Sequence, residues 1–168
     1  MRARTAVAAT SVALALMFTG CGGQNATSKQ QSAPTTASPS PTLDLAAKVR
    51  AWAEEGGTDT LNTLAKRLGK VDKDSHPVNL VGLQDSCAQL TADVETAQGE
   101  APMPDVTLDK RWKLALYHLG KSASACTVGA ASGDQASFDL MSAEMSIGNE
   151  HLNAVAKRIN EITVGSAS

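Results

Sequence analysis

From Phe138 onward, apolar positions return at alternating intervals of three and four: Phe138, Met141, Met145, Gly148, Leu152, Val155, Ile159 and Ile162. An eight-position seam of that period predicts one helix, from an N-cap at Asp134 to about Ile162, with Lys157 and Arg158 near the negative end of its dipole. A second stripe, Trp112, Leu116, Leu119, Ala123, Cys126 and Ala130, predicts a helix that starts at Thr107 or Asp109 and stops at Gly133. Leu80, Leu83, Cys87, Leu90 and Val94 make a third, entered near Pro77 and ended by Gly99. The first part of the pattern is less regular. Leu45, Val49 and Trp52 are out of phase with Leu61, Leu64, Leu68 and Val71 across Gly56 and Gly57. A phase slip at a glycine pair predicts a break, with helices over 43–55 and 59–72, Thr58 or Asp59 capping the second, and a solvated turn at Asp72, Lys73 and Asp74. No run alternates with a period of two. The expected fold is all-α, an up-and-down four-helix bundle with an interrupted first helix.

Composition agrees with helices. Two Trp, two Phe and one Tyr leave the core to Leu, Val, Ile, Met and Ala, and Ala and Leu favour helix over strand. Trp52 and Trp112 fall on apolar stripes and read as core anchors. From Leu43 onward 12 Lys and Arg face 17 Asp and Glu, a formal charge of −5. An acidic domain without a basic stripe interleaved with aromatics is a poor nucleic-acid binder, so no nucleic-acid partner is expected.

The N-terminus follows different rules. MRARTAVAATSVALALMFTGC sets Arg2 and Arg4 before an uncharged apolar run from Ala6 to Phe18, which is the layout of a secretory signal. About thirteen residues at 1.5 Å each cover roughly 20 Å, short of the roughly 30 Å hydrocarbon core. Residues 22–42, GGQNATSKQQSAPTTASPSPT, hold three prolines, one charge and no large apolar side chain, so they cannot bury enough surface to order themselves. As a flexible coil they would hold a domain on the order of 25 Å from an attachment point.

Phe18, Thr19, Gly20 and Cys21 resemble the lipobox of bacterial lipoproteins, where an aliphatic residue, a small residue and Gly or Ala precede an invariant cysteine. The resemblance implies cleavage between Gly20 and Cys21 and attachment of diacylglycerol to the Cys21 thiol. It divides the chain into a signal peptide over 1–20, a lipidated tether over 21–42 and a helical domain over 43–168. It also implies location at the cell membrane on the extracytoplasmic side. Two acyl chains suffice for stable anchoring, at roughly 0.8 kcal/mol per buried CH₂. By signal, tether and composition the chain is similar to small secreted lipoproteins of high-GC Gram-positive bacteria.

With Cys21 assigned as an anchor, Cys87 and Cys126 remain as an even pair on the apolar seams of consecutive helices, and in an oxidising compartment a disulfide is expected. The helix ends leave the two about 10 Å out of level, a climb that GEAPMPDVT can make at about 3.3 Å per extended residue. Unpaired, both would be buried thiols.

Other chemistry is sparse. A di-iron bundle needs Glu three residues before His on two helices, but Ala115 and Gly148 stand before His118 and His151. Met141 and Met145, with His151 lower on the same helix, could offer soft ligands to copper, although their seam already explains both methionines as core. No GxSxG or SxxK pattern occurs, and Glu54 and Glu55 read as solvated surface. No catalytic residue, cofactor or resident metal is expected. Two functions remain: a non-enzymatic module that binds another envelope or secreted protein, or a lipoprotein that binds a small ligand or copper in its interior or beside the broken first helix.

Overall fold

Five helical stretches build the domain in the computed structural model, which describes residues 41–165, with side chains from residue 44. Residues 1–40, including the signal-like run, Cys21 and most of the tether, lie outside the described residues. The stretches are α1 (Pro41–Trp52), α2 (Thr58–Ser75), α3 (Leu80–Gln98), α4 (Val106–Ser132) and α5 (Gln135–Gly165). The fold is an all-α bundle of four helical columns, the first of them interrupted between α1 and α2, as the phase slip predicts.

The interruption is a wide turn over Ala53–Gly57 in which Gly56 takes φ +113°, a left-handed conformation that costs a side-chain-bearing residue strain. Gly57 is needed for a second reason. A Cβ there would meet the Trp52 indole at 2.3 Å, so the bare backbone is what lets Trp52 fold across the kink. Neither Thr58 nor Asp59 caps α2. Gly57 stands at its start with helical backbone angles and no side-chain cap, because helical turns run on through the kink. At its other end α2 runs to Ser75, past the expected turn at Asp72. Val71 is still fully buried there, Lys70 pairs with Asp74 at 3.0 Å, and Ser75 Oγ donates to the Val71 carbonyl at 2.7 Å.

The remaining ends obey local chemistry. Asn79 caps α3 by accepting from the Gly82 amide at 3.1 Å. Asp105, rather than Thr107 or Asp109, caps α4, accepting from the Leu108 amide at 2.9 Å. Asp109 instead accepts from the Met103 amide at 3.3 Å and Lys113 at 2.6 Å, fastening the α3–α4 connection, whose Met103 side chain is buried. Gly133 ends α4 in the left-handed region, and Asp134 then accepts from both the hydroxyl and the amide of Ser137, which hold its carboxyl below the usual range.

Around the bundle, α4 packs along both α3 and α5, α2 packs on α3, and α1 packs on α5. One seam stays slack: α2 and α5 barely meet. Leu64, Leu83, Leu90, Leu108, Leu119 and Val155 are fully buried and fill the centre. Trp112 is buried, and Trp52 is partly buried against the core, as their stripes predict. Leu80 departs from its stripe and is exposed in the first turn of α3. Among the described residues, no helix is long and apolar enough to cross a membrane.

Candidate functional site

Cys87 and Cys126 face each other across the α3–α4 seam, both fully buried, and form a disulfide with Cα atoms 5.7 Å apart. The two cysteines are level because residues 99–105 run between the helix ends without helical turns, which lets α4 slide along α3.

On the opposite side of α4, the seam with α5 closes around a glycine. A Cβ at Gly148 would lie 2.6 Å from Leu119 Cδ2, so the seam residue that carries no side chain is where Leu119 inserts. Along the outer edge of this seam lies a polar cluster. Glu144 is buried, and both its carboxylate oxygens are engaged by α4: His118 Nδ1 donates to Oε2 at 2.6 Å, and Lys121 Nζ donates to Oε1. With Oε2 as acceptor, the proton of this bond sits on Nδ1. The Lys121 ammonium, then the His118 hydrogen bond, hold the Glu144 carboxyl below its ordinary range against the opposing effect of burial, and Glu144 in turn raises Lys121.

Aromatic contacts complete the cluster. His118 stacks on His151 with ring centroids 5.9 Å apart and planes 22° from parallel, and Tyr117 meets His118 edge-on at 5.1 Å. Beneath it, buried Ser122 donates to the Met141 carbonyl at 2.9 Å. With both Glu144 oxygens engaged by α4, the arrangement ties the two helices together.

Three grooves on the described surface are larger than the one of about 210 Å³ beside the kink, between Trp52, Gly57 and Glu100, and the one of about 170 Å³ between α2 and α3. Along the slack α2–α5 seam runs one of about 400 Å³, walled by Ala65, Gly69, Ser142 and Ser146. It adjoins a second of about 260 Å³ that includes His76, Phe138, Met141 and Met145, and the two share Asp72, Ser142 and Met145. The third, about 390 Å³, lies at the α3–α4 connection between Pro102, Trp112, Lys113 and Tyr117.

The candidate copper ligands are therefore divided. Met141 is buried in the core and Met145 half-buried beside it, both facing the groove that His76 enters, whereas His151 belongs to the Glu144 cluster on the other flank of α5. Among the described residues, no three His, Cys, Asp or Glu side chains gather as metal ligands would.

No known protein family, curated protein or solved structure matches the chain.

Glu144 and Lys121 carry no sequence signal of their own. Glu144 is one residue off the α5 seam, and His118 and Lys121 are three apart at the edge of the α4 stripe. A carboxylate at the margin of one apolar face and two nitrogen bases at the margin of the next is the pattern that could reveal such a tie.

Proposed function

We propose that the chain is a lipid-anchored, extracytoplasmic and non-enzymatic interaction module, held at the membrane through Cys21 and presenting a disulfide-stapled helical bundle to another envelope or secreted protein. The observation that supports this most is the pairing of Cys87 with Cys126. It leaves Cys21 as the odd cysteine, directly behind a signal-like apolar run and ahead of a proline-rich tether. The buried disulfide also fits an oxidising compartment. The filled centre of the bundle, with leucines and valines at full burial, favours a scaffold whose outer faces do the binding.

The anchor is tested by fractionating cells that express the protein. Cys21→Ser is expected to move it from the membrane fraction to the medium, and unchanged membrane association would overturn the lipid reading.

A second reading, small-ligand or copper binding, draws on one observation: Met141, Met145 and His76 line the same groove. Soft thioethers with an imidazole suit Cu(I). Under the first reading Cu(I) leaves the melting temperature unchanged; a large upward shift, lost in Met145→Leu, would favour the second.

A further inference from the structure

The outward face of α4 differs from the rest of the domain in charge. α4 holds Lys110, Arg111, Lys113 and Lys121 against Asp109 alone, a net +3, so the remainder of the chain from Leu43 carries −8 if the whole is −5. Three of those cations fall on one exposed stripe. Lys110, Lys113 and Lys121 alternate there with Val106, Leu114 and Tyr117, at spacings of three and four that keep all six on one side of the helix. The carboxylate nearest the stripe is Asp109, one turn before Lys113 and 18% exposed. Val106 is 87% exposed and Tyr117 57%, and Val128 continues the line two turns on.

Two of the lysines have acidic partners, but of unequal exposure. Lys113 is 67% exposed over Asp109 at 18%, and Lys121 is 43% exposed over Glu144 at 10%. In each pair the carboxylate is the more buried member, and the lysine side chain keeps much of its surface open to solvent. Lys110 has no ion-pair partner among the described residues. From α5, exposed Leu140 and Ile147 extend the apolar part of this face beyond the Glu144 tie.

We propose that the outer face of α4 docks the domain onto anionic lipid headgroups. The proposal rests on the reading of Cys21 as an anchor for its setting in the cell, since the tether brings this face within reach of the leaflet. Lysines place ammonium groups among phosphates while their stems and a tyrosine ring lie at the headgroup level. The −8 carried elsewhere is repelled by the same surface, so charge alone selects α4 as the side turned toward it. The contact can be weak, because attachment of the chain at the same surface supplies an effective concentration in the millimolar range. An acidic protein would satisfy the lysines but gives no reason for the exposed aliphatic and tyrosyl side chains that alternate with them.

The test uses the full chain bearing Cys21→Ser, so that no acyl group contributes and the apolar leader is common to every variant. It is co-sedimented with vesicles of equal phosphatidylglycerol and phosphatidylcholine, and with phosphatidylcholine alone. Binding to the anionic vesicles is expected to exceed binding to the neutral ones, and to weaken as salt is raised from about 50 to about 300 mM. Lys110→Glu, at an exposed position without a partner, is expected to lower the partition coefficient about tenfold, since one lysine near such a surface contributes about fivefold and reversal does more. Tyr117→Ser should lower it less, and Lys66→Glu on the outer face of α2 should leave it unchanged, with thermal melts showing all three folded. Equal binding to both vesicle types would overturn the proposal, as would equal losses in Lys66→Glu and Lys110→Glu. So would photo-cross-linking from position 117 in cells that captures an acidic protein while vesicles show no binding. Because the vesicle assay contains no acylated cysteine, its failure is separable from failure of the anchor, which cell fractionation reads in the Cys21→Ser, Lys110→Glu double variant, where both contacts are weakened.

Discussion

The two flanks of α5 face neighbours in opposite ways. Toward α4 the seam is closed: Leu119 occupies the space that a Gly148 side chain would take, and Glu144 is tied to His118 and Lys121. Toward α2 the seam is open, walled by Ala65, Gly69, Ser142 and Ser146 around a groove of about 400 Å³. Small residues are present on both sides, and they produce opposite results. A glycine closes a seam only when a large side chain from the partner fills its place; without one it leaves a channel. The kink at Gly56 supplies the rest of the difference, because it turns α1 onto α5 and leaves α2 packed chiefly on α3.

The largest effect is expected on the other side of α4, where its covalent bond to α3 can be removed. Replacing Cys87 and Cys126 together by Ala should cost about 4 kcal/mol, given a loop of 39 residues in the chain-entropy account, and chemical denaturation measures it. If the midpoint moved little, the α3–α4 seam would owe its closure to packing alone. Next comes Gly148→Ala, which drives a methyl group into Leu119 and should destabilise by about 1 to 3 kcal/mol despite the better helix propensity of alanine. The paired experiment on the open side is Gly69→Ala. Nothing lies within 4 Å of a Cβ at Gly69, so the substitution should stabilise by up to about 1 kcal/mol through helix propensity. Opposite signs for the same chemical change would confirm the contrast between the flanks, and a loss at Gly69 would erase it.

The smallest effect depends on pH. Glu144 has its folded pKa depressed, so its stabilising contribution is fully present above the ordinary glutamate value near 4.3 and is lost as pH falls through the lower folded value. Glu144→Gln should therefore lower the melting temperature at pH 7, and the gap to the parent should close as pH drops below about 4. A gap that persisted at pH 2 would mean that the tie works through shape rather than charge.

The contrast also separates what the chain discloses in one dimension from what it withholds. The α5 seam was legible because burial on one face imposes a period, and Met141, Gly148, Leu152, Val155 and Ile162 are all buried. The kink was legible because a glycine pair and a phase slip coincide. The disulfide followed from two cysteines on facing stripes. By contrast, the Glu144 cluster depends on how far α4 and α5 are rotated and slid against each other. Periodicity says which face of a helix is inward but not which residue stands opposite. The open α2–α5 groove was illegible for the same reason: Ala65, Gly69, Ser142 and Ser146 are each unremarkable until two helices are set beside one another. α2 outruns its expected end because Asp72, Lys73 and Asp74 resemble a turn in composition, while buried Val71 and the Lys70–Asp74 pair hold that stretch helical.

The wide turn at Gly56 has a mechanical consequence. Any tension entering the domain from its N-terminal side reaches α1 first, and α1 is held against α5 and linked onward only through Ala53–Gly57. The Arg50 guanidinium donates to the Thr163 carbonyl at 3.3 Å and holds α1 to the far end of α5. Under load α1 should peel from α5 and the kink should straighten before α2 feels the pull, while the loop between Cys87 and Cys126 stays closed behind it. The broken first helix thus works as a yielding element in series with a covalently bounded core, giving the domain a few nanometres of give before its packing is at risk.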